Sequence, residues 1–229
     1  MIIRDAIERC TILNHANPAS KTKILSYGII KKYKKNEYIF RDREDVNKIY
    51  FVISGFVVLE KINKNQDRKI IFIFSTGELL NEVVLEESIA SVSCYALGEV
   101  EIISFSRSQI LEIMETDFQF SKMIMDSMAK KIRRLYHQLE NTTNMMHLDK
   151  QIAAKLWKLG KDFGKEKENY IEIEFDMTIT LLADMVGSKR ETVSRIIKNM
   201  TNQKIVKINK NSCYIYDMNQ LKKIVISVK

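Results

Sequence analysis

The distribution of hydrophobic and polar positions divides the chain into regions of different periodicity. Between about residues 33 and 106, short apolar or alternating runs are separated by polar turns. Such runs predict β-strands, and many short strands at regular spacing are typical of a sandwich or barrel. The runs occupy residues 37–40, 48–53, 56–60, 69–74, 92–96 and 100–105.

One segment interrupts this strand pattern. Residues 79–88 follow Gly77 and Glu78, and their pattern is more helical than extended. A short helix at this place can point its N-terminal amides into the mouth of a barrel, where they favour an anion. The other interpretation is a turn that only connects two strands.

A long helix is predicted from about Asp117, which is a good N-cap type, towards Met146. Apolar residues recur within it at alternating spacings of three and four, which favours a homodimer seam over ordinary core packing. Lys130, Lys131, Arg133 and Arg134 flank this seam and are predicted to be solvated. The seam consists of Met125, Met128, Ile132, Leu135, Leu139, Thr142 and Met146.

A second domain is predicted beyond this helix. Residues 141–144 are poor helix formers and make a candidate hinge. Asp149 is expected to cap a helix over residues 150–159 that Gly160 ends. A strand over residues 168–175 and a hairpin of residues 205–208 and 213–216 follow from their alternation.

Residues 178–200 predict two short helices joined by a tight turn. Thr178 is a good N-cap type, and Gly187 stands where a helix-turn-helix needs a residue that tolerates positive φ. At about 100° per residue, the second helix has one apolar side and one polar side. The apolar side consists of Val193, Ile196, Ile197 and Met200, and the polar side of Arg190, Glu191, Ser194 and Arg195.

The polar side has the chemistry for reading base edges in a major groove. Arg190 and Arg195 can bond guanine O6 and N7, Glu191 can accept from a cytosine amino group, and Ser194 can do either. The candidates for phosphate contacts, which add affinity without sequence information, are Thr178, Ser188, Lys189 and Thr192. The alternative is a surface helix laced by Arg–Glu pairs.

The charge distribution supports a polyanionic partner. The net charge is +8, with a pI near 9.2. Residues 150–229 hold 16 Lys and Arg against 9 Asp and Glu, an excess of +7, whereas residues 1–149 hold 21 against 20, an excess of +1. The basic excess therefore belongs to the C-terminal third of the chain.

Several classes of protein are excluded. No apolar run approaches the ~18 residues of a membrane span, and the N-terminus lacks a signal-peptide pattern, so we expect a cytoplasmic protein without a membrane partner. Cys10, Cys94 and Cys213 lie far apart without a Cys-x-x-Cys pair, so neither a disulfide framework nor a metal site is predicted. No nucleophile–base pairing or phosphate loop is present, and no enzyme is expected.

The motif Ser188-Lys-Arg-Glu-Thr-Val-Ser-Arg195 resembles the recognition helix of the cyclic-AMP receptor protein and fumarate-nitrate-reductase regulator family. Residues 48–55, 77–78 and 81–82 resemble the barrel of that family, and the resemblance covers nearly the whole chain. It implies an α+β fold. Residues 1–116 would form a cyclic-nucleotide-binding-type β-barrel (jelly roll), residues 117–147 a dimerisation helix and hinge, and residues 148–229 a winged helix-turn-helix.

The resemblance also implies a transcription regulator that is a homodimer and whose partners are double-stranded DNA and RNA polymerase. Arg190, Glu191 and Arg195 match the base-reading positions of the cyclic-AMP receptor branch. Ser194, with Glu191 and Arg195, matches the oxygen-sensing branch. The implied operator is a palindrome with a TGA core in each half, the halves about one helical turn apart. A signal in the barrel would act allosterically through the long helices or the hinge.

The departures from the family concern the signal. The resemblance places a candidate effector pocket at Gly77, Glu78, Asn81, Glu82 and Ser91. Cyclic-AMP binders carry an Arg that pairs with the cyclic phosphate, and Ala90 stands at that position here. No Lys or Arg lies in residues 78–100, and Asn81 replaces the usual Gly. Because a buried phosphate would then lack a cationic partner, cyclic AMP is not the expected effector.

Other effectors stay open. Iron–sulfur ligation normally needs four thiolates, and the N-terminal region offers Cys10 alone, so no iron–sulfur cluster is expected. A haem, another small molecule or no ligand at all is compatible with the sequence. A second interpretation of the whole chain is a binding module whose winged domain contacts a protein instead of DNA.

Overall fold

A computed structural model describes residues 3–143 and 147–226, and for residues 140–143 it describes the backbone. The chain forms two compact units. One unit consists of Met1–Lys61 with Phe72–His137, and the other of Ile62–Ile71 with Gln138–Lys229. The domain boundaries expected at residues 116 and 147 stay predictions.

The strand-rich region forms two antiparallel four-stranded sheets, as the alternating runs predicted. Their strand orders are β1-β8-β3-β6 and β2-β7-β4-β5. The turn at residues 63–67, between β4 and β5, is closed by a hydrogen bond from the Asn63 amide to the Asp67 carbonyl. The strands are β1 (Ile29–Tyr33), β2 (Tyr38–Phe40), β3 (Lys48–Ser54), β4 (Val57–Ile62), β5 (Arg68–Phe74), β6 (Leu79–Leu80), β7 (Ser93–Ala96) and β8 (Val100–Ser106).

A hydrophobic core of this unit lies between the β1-β8-β3-β6 sheet and a layer of helices. β3 and β8 pair so that Ile49 lies opposite Phe105 and Phe51 opposite Ile103, and all four side chains are buried. Burial of such side chains stabilises the fold by about 1.5–3 kcal/mol each. Cys10 belongs to the same core cluster, and Cys94 and Cys213 are also buried. The covering helices are α1 (Ile3–Arg9), α2 (Thr11–Asn14), α3 (Pro18–Tyr27) and α4 (Arg107–Thr116).

Residues 79–88 differ from the helix that their pattern predicted. Leu79 and Leu80 form the short strand β6, which pairs with Phe51 and Tyr50 of β3, and only Glu82–Leu85 turn as a 3-10 helix. Both leucines are fully buried, so pairing with β3 satisfies their backbone where a helix would have carried one of them outwards. The predicted anion site at this helix is not supported, because a single turn that begins with the Glu82 carboxylate offers an anion little attraction.

The long helix α5 spans Phe118–Thr143. Asp117 caps it as predicted, since its Oδ1 accepts from the Phe120 amide at 3.0 Å, and its Oδ2 accepts from the Asn17 amide at 2.8 Å. The helix continues through residues 141–143, where a hinge was expected. Each poor helix former costs under about 0.7 kcal/mol, and an established helix propagates through such a short run. Asn144 lies outside the described residues.

α5 has two faces with different surroundings. Phe120, Ile124 and Lys131 are buried on the face that packs against the core cluster, and Met128 is partly buried against the same cluster. An adjoining stripe of α5 carries large apolar side chains that are exposed, and it includes Tyr136, which the seam prediction omitted. Its members are Met125, Ile132, Leu135, Tyr136 and Leu139. The side chain of Thr142 and the whole of Met146 lie outside the described part of the chain.

The second unit is a winged helix-turn-helix. Its sheet has the order β11-β12-β10-β9, and the β11–β12 hairpin lies where the sequence predicted it. The elements are α6 (Leu148–Phe163), β9 (Gly164–Glu166), β10 (Ile171–Ile173), α7 (Ile179–Val186), α8 (Arg190–Asn202), β11 (Val206–Asn209), β12 (Ser212–Ile215) and α9 (Met218–Ile226).

Two local predictions in this unit were wrong, and one strand was missed. α6 does not end at Gly160 but runs on to Phe163, because Gly160 serves close packing and not termination. The N-cap of α6 is His147, and Asp149 lies in the first turn. The strand β9 was not predicted, and it pairs with β10, so that Gly164 lies opposite Ile173.

Candidate nucleic-acid interface

The turn between α7 and α8 has the geometry that the sequence predicted. Thr178 caps α7, since its Oγ1 accepts from the Leu181 amide at 3.0 Å. Gly187 adopts the left-handed conformation, with φ 67° and ψ 43°, which is strained for a residue with a side chain. The Ser188 amide donates to the Ala183 carbonyl at 3.1 Å. The chain therefore leaves α7 in a fixed direction and begins α8 three residues later.

α8 is held by its apolar side. Val193, Ile197 and Met200 are buried, and Ile196 is half-buried, as the helical wheel predicted. The Thr201 hydroxyl lies 2.8 Å from the carbonyls of both Ile197 and Val206, and so connects the C-terminal turn of α8 to β11. The polar side of α8 is thus presented by a rigid support.

The polar side of α8 is exposed and unoccupied by other side chains. Arg190, Glu191 and Arg195 are exposed, and Ser194 is half-buried. Within residues 3–143 and 147–226, no ion pair or side-chain hydrogen bond holds Arg190, Glu191 or Arg195. The alternative of a helix laced by Arg–Glu pairs is therefore not what the structure has. Free guanidinium groups on a supported helix can bond bidentately to a guanine edge or to phosphate.

The predicted phosphate-contact residues lie around the turn. Lys189 is exposed and is the N-cap residue of α8, while Thr178, Ser188 and Thr192 are half-buried. The Thr178 hydroxyl already accepts the capping hydrogen bond, so it has only its own proton to offer a phosphate. Exposed Lys207 and Lys210 of the β11–β12 hairpin add positive charge to the same unit, and neither was a sequence candidate.

The predicted effector-pocket residues make separate contacts in the barrel, and their assignment to a pocket stays a prediction. The Gly77 amide donates to the Val52 carbonyl, and the Glu78 carbonyl accepts from the Val52 amide, so both residues serve the turn before β6. Ser91 is exposed, and its carbonyl accepts from Lys61 Nζ at 2.7 Å. Asn81 is buried in a left-handed conformation, and its amide nitrogen donates to the Lys48 carbonyl.

Glu82 has a partner that the sequence argument missed. Its Oε1 lies 2.6 Å from Nζ of Lys131 on α5. The expectation that Lys131 is solvated was wrong, because only 7% of the residue is exposed. Lys131 follows the buried residues Phe120 and Ile124 at about three and two helical turns, so a helical wheel places it on their face once their burial is known. Residues 78–100 of the barrel contain no Lys or Arg, and Lys131 of α5 supplies the cation that pairs with Glu82.

Two further observations concern metal ions and membranes. Among the described residues, no cluster of His, Cys, Asp or Glu has the arrangement to hold a metal ion. In that same part of the chain, no helix combines the length and apolar character needed to cross a membrane.

A two-sheet barrel, a long helix with exposed apolar residues and a winged helix-turn-helix define the class of DNA-binding transcriptional regulators. Comparison with known families agrees with this class. Residues 30–117 match the cyclic nucleotide-binding domain, and residues 150–224 match the Crp-like helix-turn-helix domain. The chain belongs to the family of cyclic-AMP receptor protein and fumarate-nitrate-reductase regulators, and it is a transcriptional regulator with a helix-turn-helix DNA-binding domain.

Its relatives are distant. The chain is 20% identical over 190 residues to a CRP-like cAMP-activated global transcriptional regulator of Mycobacterium tuberculosis, covering 82% of this chain and 84% of that protein. It is 24% identical to the regulator ArcR of Staphylococcus epidermidis, covering 79% of each. The structure of FixK2 from Bradyrhizobium japonicum matches 88% of this chain and 99% of its own, with a TM-score of 0.75 and 17% identity. These structural matches show the fold, and the family's members are regulators and not enzymes.

Proposed function

We propose that this regulator is a homodimer that reads a palindrome with a TGA core in each half-site, and that a signal other than cyclic AMP acts on it through the barrel. The observation that carries the proposal is the exposed polar side of α8, where Arg190, Glu191 and Arg195 have no partner among the described residues. These groups match guanine and cytosine edges, and Ser194 lies beside them. RNA polymerase is proposed as a further partner on the family resemblance.

The dimer is supported by the exposed apolar face of α5. Ile132 is 48% exposed and Leu139 is 63% exposed, whereas Phe120 and Ile124 of the same helix are fully buried. Leaving such a contiguous apolar face in water is unfavourable by roughly 25 cal/mol per Å², and a second copy of the same helix covers it symmetrically. A two-fold dimer presents two α8 helices, and these require an operator with inverted half-sites.

The exclusion of cyclic AMP is supported by the surroundings of Ala90. Ala90 is buried, its amide donates to the Glu44 carbonyl, and its carbonyl accepts from the Arg43 amide. It offers no charge to a phosphate, and Ser91 beside it is turned to the exterior. Lys131 of α5, which reaches the segment that contains Glu82, is already paired with that carboxylate.

The deciding experiment is selection of random double-stranded DNA on the purified protein. We expect enrichment of inverted repeats with TGA cores, bound with an affinity that falls as salt rises, because phosphate contacts release counterions. A scrambled duplex of the same length and composition is the control. Failure to enrich any palindrome at low salt, with and without cell extract as a source of effector, would refute DNA reading and favour a protein partner for the winged domain.

A further inference from the structure

A buried ion pair connects α5 to the barrel within the first unit. Lys131 Nζ lies 2.6 Å from Glu82 Oε1, with the two side chains 8% and 13% exposed. The same ammonium group donates to the carbonyl of Leu79 in β6 and lies 4.9 Å from the centre of the Phe74 ring. One side chain of α5 therefore contacts β5, β6 and the 3-10 helix at once.

These contacts use most of the hydrogen-bonding capacity of the Lys131 ammonium group. Removing a lysine from water costs several kcal/mol unless a counter-charge and hydrogen-bond acceptors replace the solvent. Glu82 supplies the counter-charge, Leu79 an acceptor, and the face of Phe74 a weaker electrostatic contact. An incoming anion would have to displace Glu82, whose carboxylate would then be left almost buried without a cation.

The pair lies on the side of α5 that contacts the barrel. Lys131 and Ile132 are neighbours in sequence, but Lys131 is buried and Ile132 is 48% exposed. Arg134, one turn further on, lies with its guanidinium 5.1 Å from the centre of the Phe72 ring. These cationic contacts connect α5 to β5, β6 and the 3-10 helix, while Ile132 beside Lys131 stays exposed.

We propose that the Lys131–Glu82 pair is a built-in substitute for an anionic effector: it fixes α5 on the barrel and presents the dimer face without any bound anion. This inference rests on the proposed function only for its link to DNA binding. The pair also limits which ligands can bind. Because Glu82 already neutralises the charge of Lys131, that charge is not available to cyclic nucleotides or other small phosphates. Dimerisation and operator binding then need no such ligand.

The test compares four proteins, namely the natural one, Lys131→Met, Glu82→Gln and the double variant Lys131→Met/Glu82→Gln. Lys131→Met alone leaves a nearly buried carboxylate unpaired and lowers the thermal midpoint most. The double variant removes both charges, and we expect it to recover part of that loss and so to stay folded. Lys130→Met, an exposed lysine of the same helix, is the matched control for charge and helix propensity.

The first readout is hydrogen exchange of the α5 amides in residues 124–137, which involves no DNA. We expect exchange in the double variant to rise by at least about tenfold, while Lys130→Met stays within about twofold of the natural protein. Equal exchange in the double variant and in Lys130→Met would overturn the proposal. Because no operator takes part, this result stands whether or not the chain reads a palindrome.

The second readout is ligand binding by calorimetry, with cyclic AMP, cyclic GMP and inorganic phosphate as the probes. We expect no saturable binding to the natural protein at millimolar ligand, and the same midpoint of operator binding with and without each probe. The opposite result is saturable binding of a probe that raises the affinity for the operator and that Lys131→Met abolishes. It would show that an anion displaces Glu82 and would overturn the proposal.

Discussion

Gly160 of α6 packs directly against Ile215 of β12. A Cβ atom at Gly160 would lie 2.8 Å from Ile215 Cδ1 and 2.9 Å from the sulfur of Met218. Such distances are shorter than van der Waals contact, and Ile215 is buried. The absence of a side chain at Gly160 therefore lets α6 approach the wing sheet and α9, and this close packing supports the unit that carries α8.

Replacing Gly160 by Ala should destabilise the second unit by about 1–2 kcal/mol. Overpacking costs about 1–3 kcal/mol, and the better helix propensity of Ala returns up to ~1 kcal/mol of that. Urea unfolding followed by the fluorescence of Trp157, which lies in α6, measures the change. Gly98→Ala is the control, because a Cβ there meets nothing within 4 Å. Equal midpoints for both variants would contradict the packing role of Gly160.

Replacing Arg195 by Ala should weaken operator binding by ~1–3 kcal/mol and relax sequence preference, because its guanidinium is proposed to bond a base edge. Fluorescence polarisation on the selected palindrome, on a half-site mismatch and on random DNA measures both effects.

Lys189→Ala provides the comparison. Lys189 is proposed to contact phosphate, so its loss should weaken binding to every sequence alike and lower the salt slope by about one. Equal losses on specific and random DNA for both variants would argue against base reading by Arg195.

Replacing Ile132 by Glu should convert the dimer to a monomer, because the symmetric seam would bring two carboxylates together in an apolar contact. Sedimentation equilibrium gives the mass, and operator affinity should fall in parallel. Gln119→Glu introduces the same charge at an exposed position of α5 near its start, and it should leave the mass unchanged. A monomeric natural protein at micromolar concentration would contradict the seam itself.

The contribution of Asp117 to the free energy of unfolding should depend on pH. Burial opposes ionisation of its carboxyl group, but hydrogen bonds from the amides of Asn17 and Phe120 outweigh this and lower its pKa. A carboxyl whose pKa is lower in the folded state stabilises the fold above the unfolded value of about 3.9, and that contribution is lost as pH falls through the folded value. Asp117→Asn should therefore cost about 1 kcal/mol at pH 7, and the difference should shrink as pH falls below about 4. Urea unfolding at several pH values checks this, and a pH-independent difference would contradict it.

Much of the fold followed from local patterns. The apolar runs of residues 48–53 and 100–105 predicted β3 and β8 because short apolar runs between polar turns are typical of strands that are buried on both faces. Thr178 and Gly187 predicted the ends of α7 because capping and left-handed geometry depend on the residue at that one position. The free polar side of α8 also follows from helical periodicity, once the apolar side is known.

Other features depended on contacts between distant parts of the chain. A lysine in a helix predicts an exposed side chain, and Lys131 was predicted to be solvated for that reason. Its burial depends on Glu82 and Leu79, which lie in the barrel. Glycine commonly ends a helix, so the sequence predicted the end of α6 at Gly160. Its packing role depends on Ile215 and Met218, which are distant in sequence. Leu79 and Leu80 suited a helix as well as a strand, and pairing with β3 decided between them.

The sequence by itself therefore determined most of the order of elements, the family and the two sides of α8, because each of these is encoded by neighbours along the chain. Only the tertiary structure decided which charge is buried and which turn of α5 faces the barrel. Burial is a property of surfaces brought together by packing, and an ammonium group is tolerated inside only where distant residues supply its counter-charge and acceptors.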